Sequence, residues 1–140
     1  MSPQAARAAR IAFDVLLVAA AVLGSMKLFE LGLQQLAATG FWKTWAAQHS
    51  IVGRLIPTLA VAVACGLLAG LVLGGFAGGR GLVLAFWAGS IIIVVDLGGT
   101  FMTAGPKGWA TLFALAPVFI AFGIYLGAVA GGRLMPSPAK

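Results

Sequence analysis

Apolar residues in this sequence form four long runs, separated by short polar or glycine-rich segments. A helix needs roughly 20 apolar residues to cross a bilayer, and each run is close to or above that length. The pattern predicts an all-α protein, an integral membrane bundle of four transmembrane helices in a single domain over residues 1–140. We expect a flexible tail after the last span, and the predicted segments are residues 11–38, 52–78, 82–103, 109–131 and 132–140.

Turn residues and prolines predict the boundaries of these spans. Thr39 and Gly40 are a stop signal after the first span, and the segment at residues 41–50 has two tryptophans and a lysine, as in an interfacial belt. Pro57 falls in the first turns of span two, where a missing N–H group costs little. Pro117 falls inside span four, which predicts a kink or a local unwinding there.

Small residues recur every fourth position in the second span. In an α-helix this spacing forms one stripe, against which another helix backbone can approach closely, as in a glycine zipper. The fourth span repeats the pattern, which predicts that the two faces pack against each other or against other chains. An internal duplication of two hairpins and a chance recurrence both explain the echo. The predicted packing residues are Gly66, Gly70, Gly74, Gly78, Gly123, Gly127 and Gly131, and the first stripe also contains Thr58 and Ala62.

Composition supports a membrane location, because 61% of the residues are hydrophobic and only 9% are charged. A soluble domain has about 25% charged residues. The net charge of +6 would suggest nucleic acid in a soluble protein, but the basic residues here lie at span ends. We therefore expect contact with membrane lipid and no nucleic-acid partner.

Basic residues also predict the orientation of the bundle. In a four-span topology one side carries Arg7, Arg10, Arg80, Arg133 and Lys140. The other side carries Lys43, Arg54, Lys107 and Lys27. Cytoplasmic segments carry the excess of Lys and Arg, so we expect both termini in the cytoplasm, with the protein in the bacterial inner membrane.

Ionisable residues inside a membrane are costly and are candidate functional residues. Asp96 lies roughly 24 Å along its helix from Arg80, near the predicted level of Lys27, Glu30 and Arg54. These four residues form a possible intramembrane polar site, which could be linked to protons or cations. A structural salt bridge that fixes helix register explains the same residues, and Lys27 and Glu30 can satisfy each other at i,i+3 spacing.

The remaining candidates predict no catalytic, cofactor or metal site. Asp14 follows Arg10 by four residues, which predicts a local surface pair near the start of the first helix. His49 is the single histidine and Cys65 the single cysteine, too few for a two-histidine or Cys-x-x-Cys site within one chain. We expect neither an enzyme nor a bound cofactor.

Three segments together resemble a known family. They are G-S-M-K-L-F-E-L-G at residues 24–32, G-F-W-K-T-W at 40–45 and L-L-A-G-L-V-L-G-G-F at 67–76. This layout is similar to that of the DoxX family and its MauE-like relatives, which are small four-span bacterial membrane proteins. The resemblance implies an accessory subunit that supports a redox or maturation partner, with Lys27 as the one position carried over. It departs in the second span, where the chain has Ala64 to Gly66 in place of an acidic residue.

Two functions follow from this sequence as hypotheses. The first is a non-catalytic accessory or structural subunit of a larger membrane complex. The second is a homo-oligomeric transporter or channel for ions or small solutes, with Asp96 as the coupling residue.

Overall fold

The computed structural model describes residues 2–40, 44, 51–104 and 115–134. At positions 51–55, 100, 101, 103 and 104 the description covers the backbone alone. The described residues form α-helices joined in one place by a 3₁₀ turn, Gly78–Arg80. The helices are α1 (Pro3–Ala38), α2 (Ile51–Ala77), α3 (Gly81–Ala104) and α4 (Ala116–Leu134).

Three stretches of the described chain are long and apolar enough to cross a membrane, by length and composition. They are Pro3–Ala38, Ile56–Gly99 and Ala116–Leu134, and the second contains most of α2 and α3. The prediction of an all-α protein with membrane-spanning helices is therefore confirmed at this level. The bundle exposes many large apolar side chains, including Leu16, Phe76 and Val94, as expected of a surface that faces lipid.

Helix α1 starts eight residues before the predicted start at Ile11. Ser2 is its N-cap, and the Ser2 hydroxyl accepts a hydrogen bond from the backbone N–H of Ala5 at 3.2 Å. Pro3 follows as the first helical residue, where proline is favoured because no helical hydrogen bond is lost. The helix ends at Ala38, and Gly40 then takes a φ of +72°, a left-handed conformation that glycine adopts without strain.

A sharp reversal joins α2 to α3. Gly78 has a φ of +57°, and the chain passes through the 3₁₀ turn before α3 begins at Gly81. A Cβ atom placed on Gly81 would lie 3.0 Å from the Cα of Gly74, whereas residues seven apart in one straight helix are about 10.5 Å apart. Helix α3 therefore folds back along α2. Gly78, which we predicted on the packing stripe, allows this turn instead.

The most extensive contact in the bundle is between α2 and α4. Gly66 lies against Gly123, and Gly70 against Gly127: a Cβ atom on Gly66 would be 3.0 Å from the Cα of Gly123, and one on Gly70 would be 2.9 Å from the Cα of Gly127. Since residue numbers rise together along both helices, α2 and α4 run parallel. The two backbones approach so closely that the contact has no room for side chains.

The α2/α4 contact has a local two-fold symmetry with an offset of 57 residues. A Cβ on Gly66 would meet Ile120 and Ile124, and a Cβ on Gly123 would meet Val63 and Leu67, which are their counterparts at that offset. Two duplicated hairpins related by this axis would place α1 and α3 on opposite sides of the pair. Instead α1 contacts both α2 and α3, so the symmetry is confined to the two glycine-rich helices.

Helix α1 packs against α2 and α3 in an antiparallel relation to α2. The Asp14 side chain meets Arg80, and Gly32 lies beside Val61, so residue numbers rise on α1 as they fall on α2. The helices thus alternate in direction along the chain. The largest fully buried apolar side chains form the centre of the core, and they are Leu73, Ile92, Ile120 and Ile124.

The two prolines occupy different positions in their helices. Pro57 lies in the second turn of α2, as the seventh residue of that helix. Pro117 is the second residue of α4, where a proline breaks no helical hydrogen bond. The kink or local unwinding that we predicted for a span beginning at Trp109 stays a prediction, because residues 105–114 lie outside the described ranges.

We expect Gly70→Ala to destabilise the bundle by about 1–3 kcal/mol, because an added methyl group overpacks against backbone atoms that cannot rotate away. Gly24→Ala is the matched control, since nothing lies within 4 Å of a Cβ atom at Gly24 in α1. Helix propensity favours alanine there by up to about 1 kcal/mol. Loss of helical circular dichroism on heating in mild detergent measures both changes. Equal unfolding midpoints for the two variants would contradict the α2/α4 contact.

Candidate functional site

An ion pair ties the start of α1 to the turn between α2 and α3. The guanidinium of Arg80 donates to Oδ2 of Asp14, across 66 residues of sequence. The Asp14 side chain is 21% exposed and the Arg80 side chain 34% exposed, so both are partly desolvated. An ion pair in such surroundings is less screened than one at a free surface.

Asp14 therefore does not form the local surface pair with Arg10 that we predicted. Because α1 begins at Pro3, Asp14 lies in its fourth turn and is no longer close to the positive end of the helix dipole. The topology of the bundle could have identified Arg80 as the partner of Asp14. Alternating spans place the start of α1 and the turn at Arg80 on the same side of the bundle, where Asp14 is the one acidic residue.

A groove beside this ion pair runs between α1 and α3. It has a volume of about 610 Å³ and includes Asp14 at one end. Its walls are otherwise apolar, with Val15, Val18 and Leu23 from α1 and Trp87 and Ile91 from α3. The groove is partly open to the outside of the bundle and is not an enclosed chamber.

The second polar group lies on the exposed surface of α1, towards its other end. Lys27 Nζ is 3.2 Å from Glu30 Oε2, and Gln34 Nε2 donates to Glu30 Oε1 at 3.4 Å. The Lys27 and Glu30 side chains are 64% and 56% exposed. These three residues, which we call the α1 polar ladder, satisfy one another along one face of the helix.

The structure brings together only part of the four-residue polar site predicted from the sequence. Lys27 and Glu30 pair as their spacing suggested. Asp96 lies half-buried in α3, sixteen residues beyond Arg80, at the same end of the bundle as the α1 polar ladder. Arg54 belongs to α2, but its side chain lies outside the described residues.

Six of the seven predicted packing glycines are buried in α2 or α4, whereas Gly78 lies in the turn after α2. Gly66, Gly70 and Gly74 are buried on α2, and Gly123, Gly127 and Gly131 are buried on α4. Thr58 and Ala62 extend the α2 stripe and are also buried. The glycines contact backbone atoms of the facing helix, so they serve packing and carry no chemistry.

Groups that could support catalysis or metal binding are sparse in the described part of the chain. No three His, Cys, Asp or Glu side chains come together within the described ranges. Cys65 is a buried thiol in the middle of α2. His49 and its neighbour Ser50 lie outside the described residues. The described polar side chains form two groups on α1, the Asp14 and Arg80 ion pair towards one end and the α1 polar ladder towards the other.

The chain matches no family model, no curated protein and no solved structure. The resemblance to the DoxX and MauE-like proteins therefore stays a prediction.

We expect Arg80→Leu to cost about 2 kcal/mol of folding stability, since it leaves the more deeply buried partner Asp14 without its cation. Asp14→Leu should cost less, because Arg80 can turn towards lipid head groups. A double-mutant cycle in detergent, followed by thermal unfolding, measures the coupling between them.

The exposed Lys27 and Glu30 pair provides the comparison, with an expected coupling of at most about 0.5 kcal/mol. If the two cycles gave equal coupling, the Asp14 and Arg80 pair would have no special structural role.

Proposed function

We propose that this protein is a non-catalytic accessory or structural subunit of a larger membrane complex in the bacterial inner membrane. In this proposal α1 to α4 are four transmembrane helices, both termini are cytoplasmic, and the α2/α4 contact is a glycine zipper that holds the subunit together. The observation that carries the proposal is the outward face of α1, where a regular row of exposed residues includes a hydrogen-bonded polar group.

The row follows a heptad spacing along most of α1. Its residues are separated by alternate steps of four and three, and all of them are exposed: Leu16, Ala20, Leu23, Lys27, Glu30 and Gln34. Steps of four and three keep a seam facing one partner in a left-handed pair of helices. The seam therefore has the geometry to receive one further helix.

The polar side chains of this seam also favour a partner helix. Lys27, Glu30 and Gln34 lie within a stretch apolar enough to cross a membrane, yet they are turned away from the rest of the bundle. Polar side chains at such positions join helices by hydrogen bonds, worth roughly 0.6–2 kcal/mol each in membranes. A helix that donates to the remaining lone pairs of Glu30 would bind there.

The glycine faces are not available for this purpose. Gly70 and Gly127 are buried against each other, so the small-residue surface is used inside the subunit. We therefore assign the contact with other chains to α1. This helix has only three buried residues along its described length, Ala21, Val22 and Ser25. This arrangement fits a subunit whose α2, α3 and α4 form a stable unit and whose α1 faces a partner.

Cross-linking in native membranes tests the proposal. A photoreactive amino acid at Leu31, which is 44% exposed beside Glu30, should give a discrete cross-linked product with one foreign polypeptide. The same group at Phe122, on the outer surface of α4, should give none. The accessory-subunit proposal would fail if Leu31 cross-linked to lipid alone.

Gln34→Leu should reduce the yield of that product by about tenfold, in line with the loss of one to two interhelical hydrogen bonds. Gln35→Leu is the matched control, because Gln35 has the same chemistry and exposure but lies off the heptad row. Purification in mild detergent provides the mass of the complex. Equal losses in the two variants would contradict the seam.

A homo-oligomeric transporter or channel is the second candidate, and the position of Asp96 favours it. Asp96 is half-buried within the apolar stretch Ile56–Gly99, and a partly buried acidic residue at membrane depth is suited to coupling with ions or protons. Cross-linking from Leu31 to a second copy of the chain would support this candidate over the first.

In that case Asp96→Asn should abolish most solute flux in reconstituted vesicles, whereas Asp14→Asn, at the other end of the bundle, should retain it. Unchanged flux in Asp96→Asn vesicles would exclude Asp96 as the coupling residue.

A further inference from the structure

We propose that the groove between α1 and α3 binds one molecule of an anionic phospholipid, with an acyl chain against its apolar walls and the phosphate at Arg7 and Arg80. This site shares only Leu23 with the outward row of α1, and the inference does not depend on the accessory-subunit proposal. It rests on the shape of the groove, on the charges at its end and on the polar atoms of the ion pair.

The groove has the length of one bilayer leaflet. On α1 its lining runs from Ile11 to Leu23, a rise of about 18 Å at 1.5 Å per residue. Half of a hydrocarbon core of roughly 30 Å is about 15 Å. An acyl chain that enters beside Ile11 would therefore reach the middle of the bilayer before the groove ends. Its volume of about 610 Å³ is in the usual range of binding sites for small molecules.

Basic side chains stand at the end where the head group would lie. Arg7 precedes Ile11 by four residues and Asp14 by seven, so it continues the face of α1 that lines the groove. The Arg80 side chain remains 34% exposed while it is paired with Asp14, and a guanidinium has five N–H donors, so some can reach a second acceptor. Two arginines against one aspartate leave a net positive charge beside the groove.

The charge of the whole end of the bundle strengthens this preference. Arg10 and Arg133 lie at the same end of the bundle as Arg7 and Arg80. The described residues at that end therefore include four arginines and one acidic residue, Asp14. Basic pockets between membrane helices recognise the head groups of anionic lipids, and each Lys or Arg near the surface contributes about 1 kcal/mol. A zwitterionic lipid would gain much less from the same charges.

The unpaired carboxylate oxygen of Asp14 favours a head group that donates hydrogen bonds. Its Oδ2 accepts from Arg80, but its Oδ1 is buried and accepts no hydrogen bond from the described residues. A buried acceptor without a donor costs roughly 1–3 kcal/mol. The glycerol hydroxyl groups of phosphatidylglycerol could supply the donor with a small movement of the side chain. We therefore select phosphatidylglycerol as the probe.

Quenching of Trp87 by brominated lipids tests the site, because Trp87 lines the groove. The full-length protein is placed in phosphatidylcholine nanodiscs and titrated with phosphatidylglycerol brominated on its acyl chains. The difference between the wild type and Trp87→Phe isolates the signal of this tryptophan. We expect quenching at a several-fold lower mole fraction of brominated phosphatidylglycerol than of brominated phosphatidylcholine.

Two pairs of variants locate the binding. Arg7→Gln should weaken the preference for phosphatidylglycerol about fivefold, the effect of one basic residue near the head group. Arg133→Gln, which removes the same charge at the same end but outside the groove, should change it little. Ala19→Phe, on the groove wall, should reduce quenching by either lipid, whereas Ala12→Phe, which is exposed outside the groove, should not. Unchanged circular dichroism confirms that each variant is folded.

The proposal is overturned if both brominated lipids quench Trp87 at the same mole fraction, or if Arg133→Gln matches Arg7→Gln. Displacement of phosphatidylglycerol by millimolar inorganic phosphate would also overturn it, since the site would then recognise a free anion and not a lipid.

Discussion

Direct backbone contact between α2 and α4 is the constraint on which the rest of this structure depends. Within a bilayer, burial of apolar side chains gives little net drive for helix association, because lipid tails are as apolar as leucine. Close packing of backbones supplies the van der Waals contact instead, and it requires a face without Cβ atoms. Gly66 and Gly70 on α2, with Gly123 and Gly127 on α4, form such a face.

The positions of the other helices follow from this pair. Helix α3 returns along α2 through the turn at Gly78, and it reaches α4 where Gly89 lies beside Ala121. Ile92, Ile120 and Leu73 then fill the centre, and each is at most 1% exposed. Helix α1 is added at the edge, through Asp14 at one end and Gly32 at the other. It is the helix with the most surface to offer a partner or a lipid.

The sequence predicted the helical membrane class and the small-residue stripes, because hydropathy and a spacing of four are local properties that survive folding. It left open whether the two stripes would meet each other, and it did not predict the contacts that α1 makes across the bundle. The i,i+4 spacing favoured Arg10 as the partner of Asp14, whereas the antiparallel packing of α1 on α2 selected Arg80. Such a pairing depends on topology, which hydropathy does not determine in detail.

The boundaries of the helices show the same difference between signals within one segment and signals that depend on tertiary contacts. The start of α1 was readable from Ser2 and Pro3, an N-cap followed by a first-turn proline, but the polar segment before Ile11 concealed it. Gly78 continued the four-residue spacing and still left the stripe, because the reversal after α2 needs a left-handed residue at that position. The Lys27 and Glu30 pair was predictable because it lies within one helix. The wider polar site with Asp96 and Arg54 stays a prediction, because the Arg54 side chain lies outside the described residues.

The packing at the centre also bears on the choice between subunit and transporter. A transport path within one copy needs polar groups or space near the bundle axis, yet the centre of the described bundle is filled by Leu73, Ile92, Ile120 and Ile124. The buried hydroxyl of Ser25 donates to the carbonyl of Val22 in its own helix, so it is engaged locally. The described core therefore offers no polar path along the bundle axis. This packing fits the proposed subunit better than a transporter that works as a single copy.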